Sequence, residues 1–218
     1  MKEFKHLPGL DLIRVFGILV VVFYHYQVET AVRGLCPADF LPAMEPLVQV
    51  AVYTMTLLSG SCLCWQEKSR SWSMKRYLWG RFLAIYPLFW LCFFPIFFYS
   101  DILCGNNEGV APWKLLLSIV GVDGYFQSFT PTFYKIGEWY LGCILFLYAV
   151  FPVLWRMIRR RGVVLAAVGA LFAWLACCFV ENPGQLYPTL IGQLPLFFMG
   201  IFLGGCLPSL WIPGILAG

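Results

Sequence analysis

Long apolar stretches follow one another along the chain, separated by short polar connections. Most approach the length of about 17 to 25 residues that a helix needs to cross a bilayer, and they are continuous, whereas a barrel strand alternates. The pattern predicts six membrane-spanning helices, at residues 12–29, 46–65, 82–99, 139–155, 163–181 and 187–206.

One further apolar stretch, WKLLLSIVGV at residues 113–122, is too short to cross a bilayer unaided. It is predicted to be re-entrant, interfacial or half of a broken helix. In the third span, Tyr86 and Pro87 are expected to mark the beginning of the helix.

Composition supports the same fold class. The chain is 61% hydrophobic and 12% charged, with a mean hydropathy of +0.77, far more apolar than a typical soluble domain. These values predict an integral membrane protein, an all-α polytopic transmembrane helix bundle. Residues 1–218 are expected to form a single transmembrane domain.

Positive charges predict the orientation in the membrane. Of the fifteen Lys and Arg residues, all but Arg33, Lys114 and Lys135 fall on the same side as the N-terminus. Because cytoplasmic loops carry an excess of Lys and Arg, that side is expected to be cytoplasmic. The predicted location is the inner or plasma membrane, as a multi-pass protein with its N-terminus in the cytoplasm.

The first span, in the stretch LIRVFGILVVVFYHY, carries Arg14 and His25. Eleven helical positions turn about 20° beyond three full turns, so both side chains lie nearly on one stripe, roughly 16 Å apart along the axis. Asp11 joins this stripe one turn earlier. The stripe is expected to line a cavity, with Arg14 binding an anion and His25 taking a proton from a hydroxyl. Alternatively, Arg14 is an interfacial anchor and His25 contacts outer headgroups.

Further cations gather before and at the start of the third span, in KSRSWSMKRYLWGRFLAIYPLFW. Ordinary anchoring to anionic lipid explains such a cluster. Because arginine binds phosphate through two hydrogen bonds at once, Arg76 or Arg81 is also a candidate phosphate contact.

Polar and aromatic residues open the fourth span. Glu138 is expected on the same side as His25, where it would orient the imidazole, bind a sugar hydroxyl or remain a solvated carboxylate at a helix N-terminus. Trp139 and Tyr140 are supporting candidates, or members of an aromatic belt. In the second span, Ser59 and Gly60 indicate close helix packing.

Several of these stretches, in order, resemble the acyltransferase 3 family of membrane enzymes. Arg14 and His25 match its pattern of an arginine, ten residues and a histidine in the first span. The resemblance covers essentially the whole chain and continues through LLSGSCL, GRFLAIYPLFW, EWYLGCILFLYAVFP and LPLFFMGIFLGG.

Two departures from the family pattern stand out. Gly80 and Ala84 occupy positions where the family often carries arginines, so that only Arg81 remains there. Family members usually continue for several more spans, which predicts that this chain is truncated at its C-terminus.

The resemblance implies an O-acyltransferase that moves an acyl group, commonly acetyl, from cytoplasmic acyl coenzyme A to a hydroxyl of a cell-surface carbohydrate. Under this hypothesis Arg14, with Arg81 and Arg76, binds the nucleotide phosphates and His25 is the general base. The expected partners are acyl coenzyme A, a carbohydrate acceptor and membrane lipid, without nucleic acid or metal.

Two other classes of function remain open. A transporter or flippase for a glycan or a lipid-linked intermediate would use the polar stripe as a substrate path. A membrane scaffold or sensor would tolerate loss of both Arg14 and His25.

Overall fold

The computed structural model of the protein is helical throughout its described regular elements. The predicted all-α transmembrane bundle is therefore confirmed. The predicted fifth span, 163–181, lies outside the described residues apart from two isolated positions. The structure describes residues 8–35, 37–68, 72–106, 109–126, 129–136, 139–161, 169, 171 and 189–210.

Among the residues that the structure describes, four helices are long and apolar enough to cross a membrane. They correspond to the first four predicted spans, and a shorter apolar helix corresponds to the sixth. The helices are α1 (Pro8–Val32), α2 (Leu41–Lys68), α3 (Met74–Phe97), α4 (Leu115–Val120), α5 (Trp139–Arg161) and α6 (Leu190–Leu210).

The predicted start of the third span is wrong by about two helical turns. Helix α3 begins at Met74, after extended backbone at Ser73, and continues beyond Phe97 as a π-helical turn. Pro87 therefore lies inside the helix. The cations Lys75, Arg76 and Arg81 therefore belong to helix α3 itself. Their long side chains can place the charge in a polar region while the stems cover apolar surface.

The short predicted segment forms a 3-10 turn, Pro112–Lys114, followed by α4. Gly121, in the left-handed conformation at φ +79°, ends α4. Tyr86 donates a hydrogen bond to the carbonyl of Val120 at 3.0 Å, and Trp90 donates one to the carbonyl of Ile119 at 2.9 Å.

These two contacts distinguish among the alternatives for α4. Tyr86 and Trp90 lie near the middle of the 30-residue apolar helix Met74–Leu103. The end of α4 is thus level with the centre of a spanning helix, and side chains satisfy its last carbonyls. Irregular backbone at this depth is tolerated when it is buried in protein. The contacts favour a re-entrant segment over an interfacial one.

The chain divides into two compact units. Residues 1–70, 157–187 and 191–218 form unit 1, whereas residues 71–156 and 188–190 form unit 2. The expectation of a single domain over residues 1–218 stays a prediction.

In unit 1, α2 packs against both α1 and α6. Val20 of α1 is buried with Val48 and Ala51 of α2. Toward α6, a Cβ atom at Gly60 would lie 2.3 Å from the carbonyl oxygen of Phe197, which confirms the close packing predicted for Gly60.

A polar contact accompanies this close packing. The hydroxyl of Thr56 donates a hydrogen bond to Oε1 of Gln193 at 2.7 Å, and both side chains are fully buried. Because an unmade hydrogen bond is costly in an apolar interior, the pair favours one register of α2 against α6.

Unit 2 is built from α3, α4 and α5 with their connections. Phe89, Phe93 and Phe133 form its buried core. Tyr77 of α3 donates a hydrogen bond to the carbonyl of Tyr148 at 2.7 Å and stacks on Phe151. These contacts hold α3 and α5 together.

Candidate functional site

Arg14 is held in place near the beginning of α1. Its guanidinium donates one hydrogen bond to Oδ1 of Asp11 at 3.1 Å and another to Sγ of Cys62, on α2, at 2.9 Å. The Arg14 side chain is 38% exposed. A guanidinium has five N–H donors in a planar fork. The cation is therefore positioned by two neighbours and keeps donors for a further anion.

His25 lies on the same continuous helix, eleven residues after Arg14. Gly17, Val20 and Tyr24 form the face of α1 that packs on α2, and both Arg14 and His25 lie along one edge of that face. His25 is exposed within the described chain, and its ring contacts the Tyr24 ring edge-on at 5.9 Å. The predicted stripe exists as a helical arrangement, and its catalytic role stays a prediction.

Arg81, in unit 2, borders an aromatic cleft of about 160 Å³ between α3 and α5. Its guanidinium lies over the Tyr148 ring, 5.6 Å from the ring centre, as in a cation–π contact. The cleft is also lined by Tyr77, Leu78, Phe82, Tyr86, Leu145 and Ala149.

The other predicted site residues have different surroundings. Arg76 is exposed at the start of α3. Trp139 and Tyr140 begin α5 and make an edge-on ring contact at 5.7 Å. Glu138 lies outside the described residues. The structure thus brings Asp11 and Arg14 together in unit 1, and Trp139 and Tyr140 together in unit 2.

Two lysines hold the connections at the far end of α3 from the Arg76 cluster. Lys135 forms an ion pair with the buried carboxylate of Asp101 at 2.9 Å. Lys114 donates hydrogen bonds to the Thr130 hydroxyl and to the carbonyl of Pro131. Lys114 and Lys135 are two of the three cations predicted on the outer side, and both serve as links between chain segments.

Sequence reasoning missed Cys62 as a partner of Arg14. Cys62 lies in the stretch LLSGSCL, but a single cysteine in an apolar run is usually a small buried hydrophobe. It also missed Asp123 and Ser118, which are fully buried in unit 2. Asp123 lies between Val122 and Gly124, and an Asp-Gly pair ordinarily signals an exposed turn.

Within the described ranges, His, Cys, Asp and Glu form no group of three or more that fits a metal ion. The described site residues are the cations Arg14, Arg76 and Arg81, the carboxylate of Asp11, the imidazole of His25 and the aromatic rings of Trp139 and Tyr140.

The fold and these residues define the class of protein, a multi-span helical membrane protein with a cation held on its first helix. The acyltransferase domain model of the acyltransferase 3 family matches residues 7–207. The chain therefore belongs to the acyltransferase 3 family and is a membrane acyltransferase. No curated protein and no solved structure matches it.

Proposed function

We propose that the protein transfers an acyl group, preferably acetyl, from cytoplasmic acyl coenzyme A to a hydroxyl of a cell-surface carbohydrate. The observation that carries the proposal is the position of Arg14. Hydrogen bonds to Asp11 and to Cys62 of α2 hold the Arg14 guanidinium in place. Arg14 lies on α1, the helix that also carries His25, and the chain belongs to the acyltransferase 3 family. In this proposal the protein lies in the inner or plasma membrane, with its N-terminus in the cytoplasm.

Arg14 is the donor-side residue in this scheme. Arg14 and His25 are about 16 Å apart along the helix axis, and an extended pantetheine arm is comparable with a 14-residue helix, roughly 20 Å. A nucleotide phosphate at Arg14 therefore leaves the thioester within reach of His25. The roles expected from the sequence for Arg76 and Arg81 as phosphate contacts, and for Glu138, Trp139 and Tyr140 at the acceptor end, stay predictions.

The chemical step is a direct transfer. His25 takes the proton from the acceptor hydroxyl while the hydroxyl oxygen attacks the thioester carbonyl carbon. The carbon–sulfur bond breaks, and the proton passes from His25 to the coenzyme A thiolate. The products are an O-acyl ester and free coenzyme A, with no covalent acyl-enzyme.

Membranes containing the protein provide the test. They are incubated with acetyl coenzyme A labelled in its acetyl group and with surface polysaccharide extracted from the source cells. We expect alkali-labile label on the polysaccharide and an equal amount of free coenzyme A thiol. Movement of glycan across the membrane without consumption of acetyl coenzyme A would instead support a transporter.

Replacing Arg14 by glutamine is expected to raise the KM for acetyl coenzyme A by about 10 to 100-fold and to change kcat less. Charge-assisted hydrogen bonds contribute roughly 1.5 to 3 kcal/mol, and each 1.4 kcal/mol is about a tenfold change in affinity. A contact remote from the reacting carbonyl lowers the energies of ground state and transition state alike. Steady-state kinetics at saturating acceptor measure the effect.

The matched control is Arg33→Gln, near the other end of α1. Arg33 is exposed and forms an ion pair with Glu29 at 2.6 Å, so its loss should leave the KM for acetyl coenzyme A unchanged. An equal rise in KM for both variants would contradict a specific phosphate contact at Arg14.

A further inference from the structure

The cleft between α3 and α5 in unit 2 combines one cation with an apolar lining. Its walls are aromatic and aliphatic side chains, and Arg81 is the only charged residue among them. Tyr77 donates its hydroxyl hydrogen to the carbonyl of Tyr148. Tyr86 donates its own to the carbonyl of Val120. Both tyrosines therefore line the cleft with their polar atoms engaged by backbone.

The charge of the cleft is positive. The Arg81 guanidinium lies 5.6 Å from the centre of the Tyr148 ring. This contact positions the guanidinium without cancelling its charge, because the ring carries no net charge. Helices α3 and α5 contain three and four Lys or Arg residues respectively, and neither contains Asp or Glu. The complementary ligand is an anion.

The depth of Arg81 indicates where that anion lies. Arg81 precedes the middle of the 30-residue apolar helix Met74–Leu103 by about seven residues, or roughly 11 Å. The hydrocarbon core extends about 15 Å from the centre of a bilayer. Because side chains lean toward the N-terminus of their helix, the Arg81 guanidinium is directed toward the nearer headgroups. It is thus placed where acyl chains meet phosphate groups, in the leaflet at the start of α3.

The apolar part of the cleft lies deeper than Arg81. It continues along Phe82 and Tyr86 toward the middle of α3, with Leu145 on the α5 side. Phe82 stacks on Trp79 at 5.4 Å and contacts the Tyr86 ring at 5.1 Å, so this wall is held in place by its own packing. A ligand with an anionic group at Arg81 and an apolar chain directed toward the bilayer centre matches both parts of the cleft.

The volume limits how much of such a ligand enters. An apolar cavity of about 150 Å³ holds a molecule the size of benzene. The cleft of about 160 Å³ therefore takes roughly six carbons of one acyl chain. The rest of the lipid would lie along α3, where Leu78 and Leu83 are exposed. Because lipid tails are as apolar as the cleft, the chain contributes fit, and the charge determines which lipid binds.

We propose that this cleft binds one anionic phospholipid, with its phosphate on Arg81 and the first carbons of one acyl chain between α3 and α5. Basic pockets between membrane helices bind lipid headgroups in this way. Phosphatidylcholine, whose phosphate is neutralised by its own choline, binds much more weakly. The site does not depend on the proposed acyl transfer. It gives Arg81 a lipid phosphate in place of the nucleotide phosphate predicted from the sequence.

Photocrosslinking of the purified protein in phosphatidylcholine nanodiscs tests the site. The nanodiscs contain a small fraction of phosphatidylglycerol or phosphatidylcholine that carries a diazirine at about carbon 6 of one chain, the depth that the cleft volume allows. Mass spectrometry of the peptides locates the label. We expect phosphatidylglycerol to label Phe82, Tyr86 or Leu145 at least about fivefold more than phosphatidylcholine does, in a manner that unlabelled phosphatidylglycerol saturably suppresses.

Arg81→Gln should raise the phosphatidylglycerol fraction that gives half-maximal labelling by about 10 to 100-fold, the range for loss of a charge-assisted hydrogen bond. The matched control is Lys75→Gln. Lys75 is exposed near the start of the same helix and does not line the cleft. Its loss removes only surface attraction and should shift the midpoint by about fivefold or less. Equal shifts for the two variants would contradict a specific phosphate contact at Arg81.

Ala149→Phe fills the cleft from α5 and keeps Arg81. It should reduce phosphatidylglycerol labelling to the phosphatidylcholine level, whereas Val153→Phe, at an exposed position of α5 outside the cleft, should not. Equal labelling of the wild type by the two lipids, a comparison that needs no variant, would overturn the proposal. Displacement of the phosphatidylglycerol by acetyl coenzyme A would also overturn it and would assign Arg81 to the nucleotide.

Discussion

Replacing His25 by alanine is expected to reduce acyl transfer by about 10² to 10⁴-fold, the usual contribution of a general base. The physical reason is that the acceptor hydroxyl then has to attack the thioester while it still carries its proton. Because His25 is exposed and packs only on the Tyr24 ring among the described contacts, the substitution should leave folding intact. Transfer of labelled acetyl to polysaccharide, at matched protein amounts, measures the effect.

The neighbouring substitution Tyr26→Phe is the control, since Tyr26 is 64% exposed on the same helix. It should retain nearly full transfer. The KM for acetyl coenzyme A should also stay close to the wild-type value in His25→Ala, in contrast to Arg14→Gln. Full transfer by His25→Ala at normal expression would rule out the imidazole as the base and would leave Arg14 without its proposed partner.

Replacing Gly200 by alanine is expected to destabilise unit 1 by roughly 1 to 3 kcal/mol or more, the range for an overpacked interior. A Cβ atom at Gly200 would lie 2.1 Å from the carbonyl oxygen of Leu57, which is backbone of α2 and has no rotamer to change. The helices would have to separate, and the hydrogen bond between Thr56 and Gln193 would weaken with them. Thermal unfolding in nanodiscs, followed by circular dichroism, measures the loss.

Gly80→Ala provides the comparison, because nothing lies within 4 Å of the Cβ position there. In a helix interior this change is expected to be neutral or to stabilise by up to about 1 kcal/mol. Gly204→Ala should behave like Gly200→Ala, since its Cβ atom would lie 2.3 Å from the carbonyl oxygen of Ser61. Equal Tm values for Gly200→Ala and Gly80→Ala would contradict close packing of α2 on α6.

The first four helical spans were predictable from the sequence, and so was the placement of Asp11 one helical turn before Arg14. Both depend on properties of one helix, namely apolar length and a spacing of three residues. The start of α3 was not predictable in this way, because Tyr77 packs on Phe151 and Tyr148 of another helix and thereby extends α3 toward Met74. The role of Cys62 was hidden for the same reason, since it contacts Arg14 across 48 positions of sequence.

The depth of the short segment 113–122 in the membrane could not be predicted from its own residues. Its length excluded a span, but its depth depended on Tyr86 and Trp90, whose donors satisfy the carbonyls at the end of α4. The buried position of Asp123 follows from the same docking. No local pattern reports the environment of a carboxylate in a turn, because burial is a property of the whole packed unit.

By itself, the sequence determined that this protein is a multi-span helical membrane protein, and its motifs pointed to the acyltransferase 3 family. Apolar length and the order of short motifs are local, so they can be read along one chain. Only the tertiary structure decided that Cys62 accepts a hydrogen bond from Arg14, that the end of α4 lies beside Tyr86 and Trp90 and that Asp123 is buried. Those features depend on distances between residues far apart in sequence, which packing and hydrogen bonding between helices create.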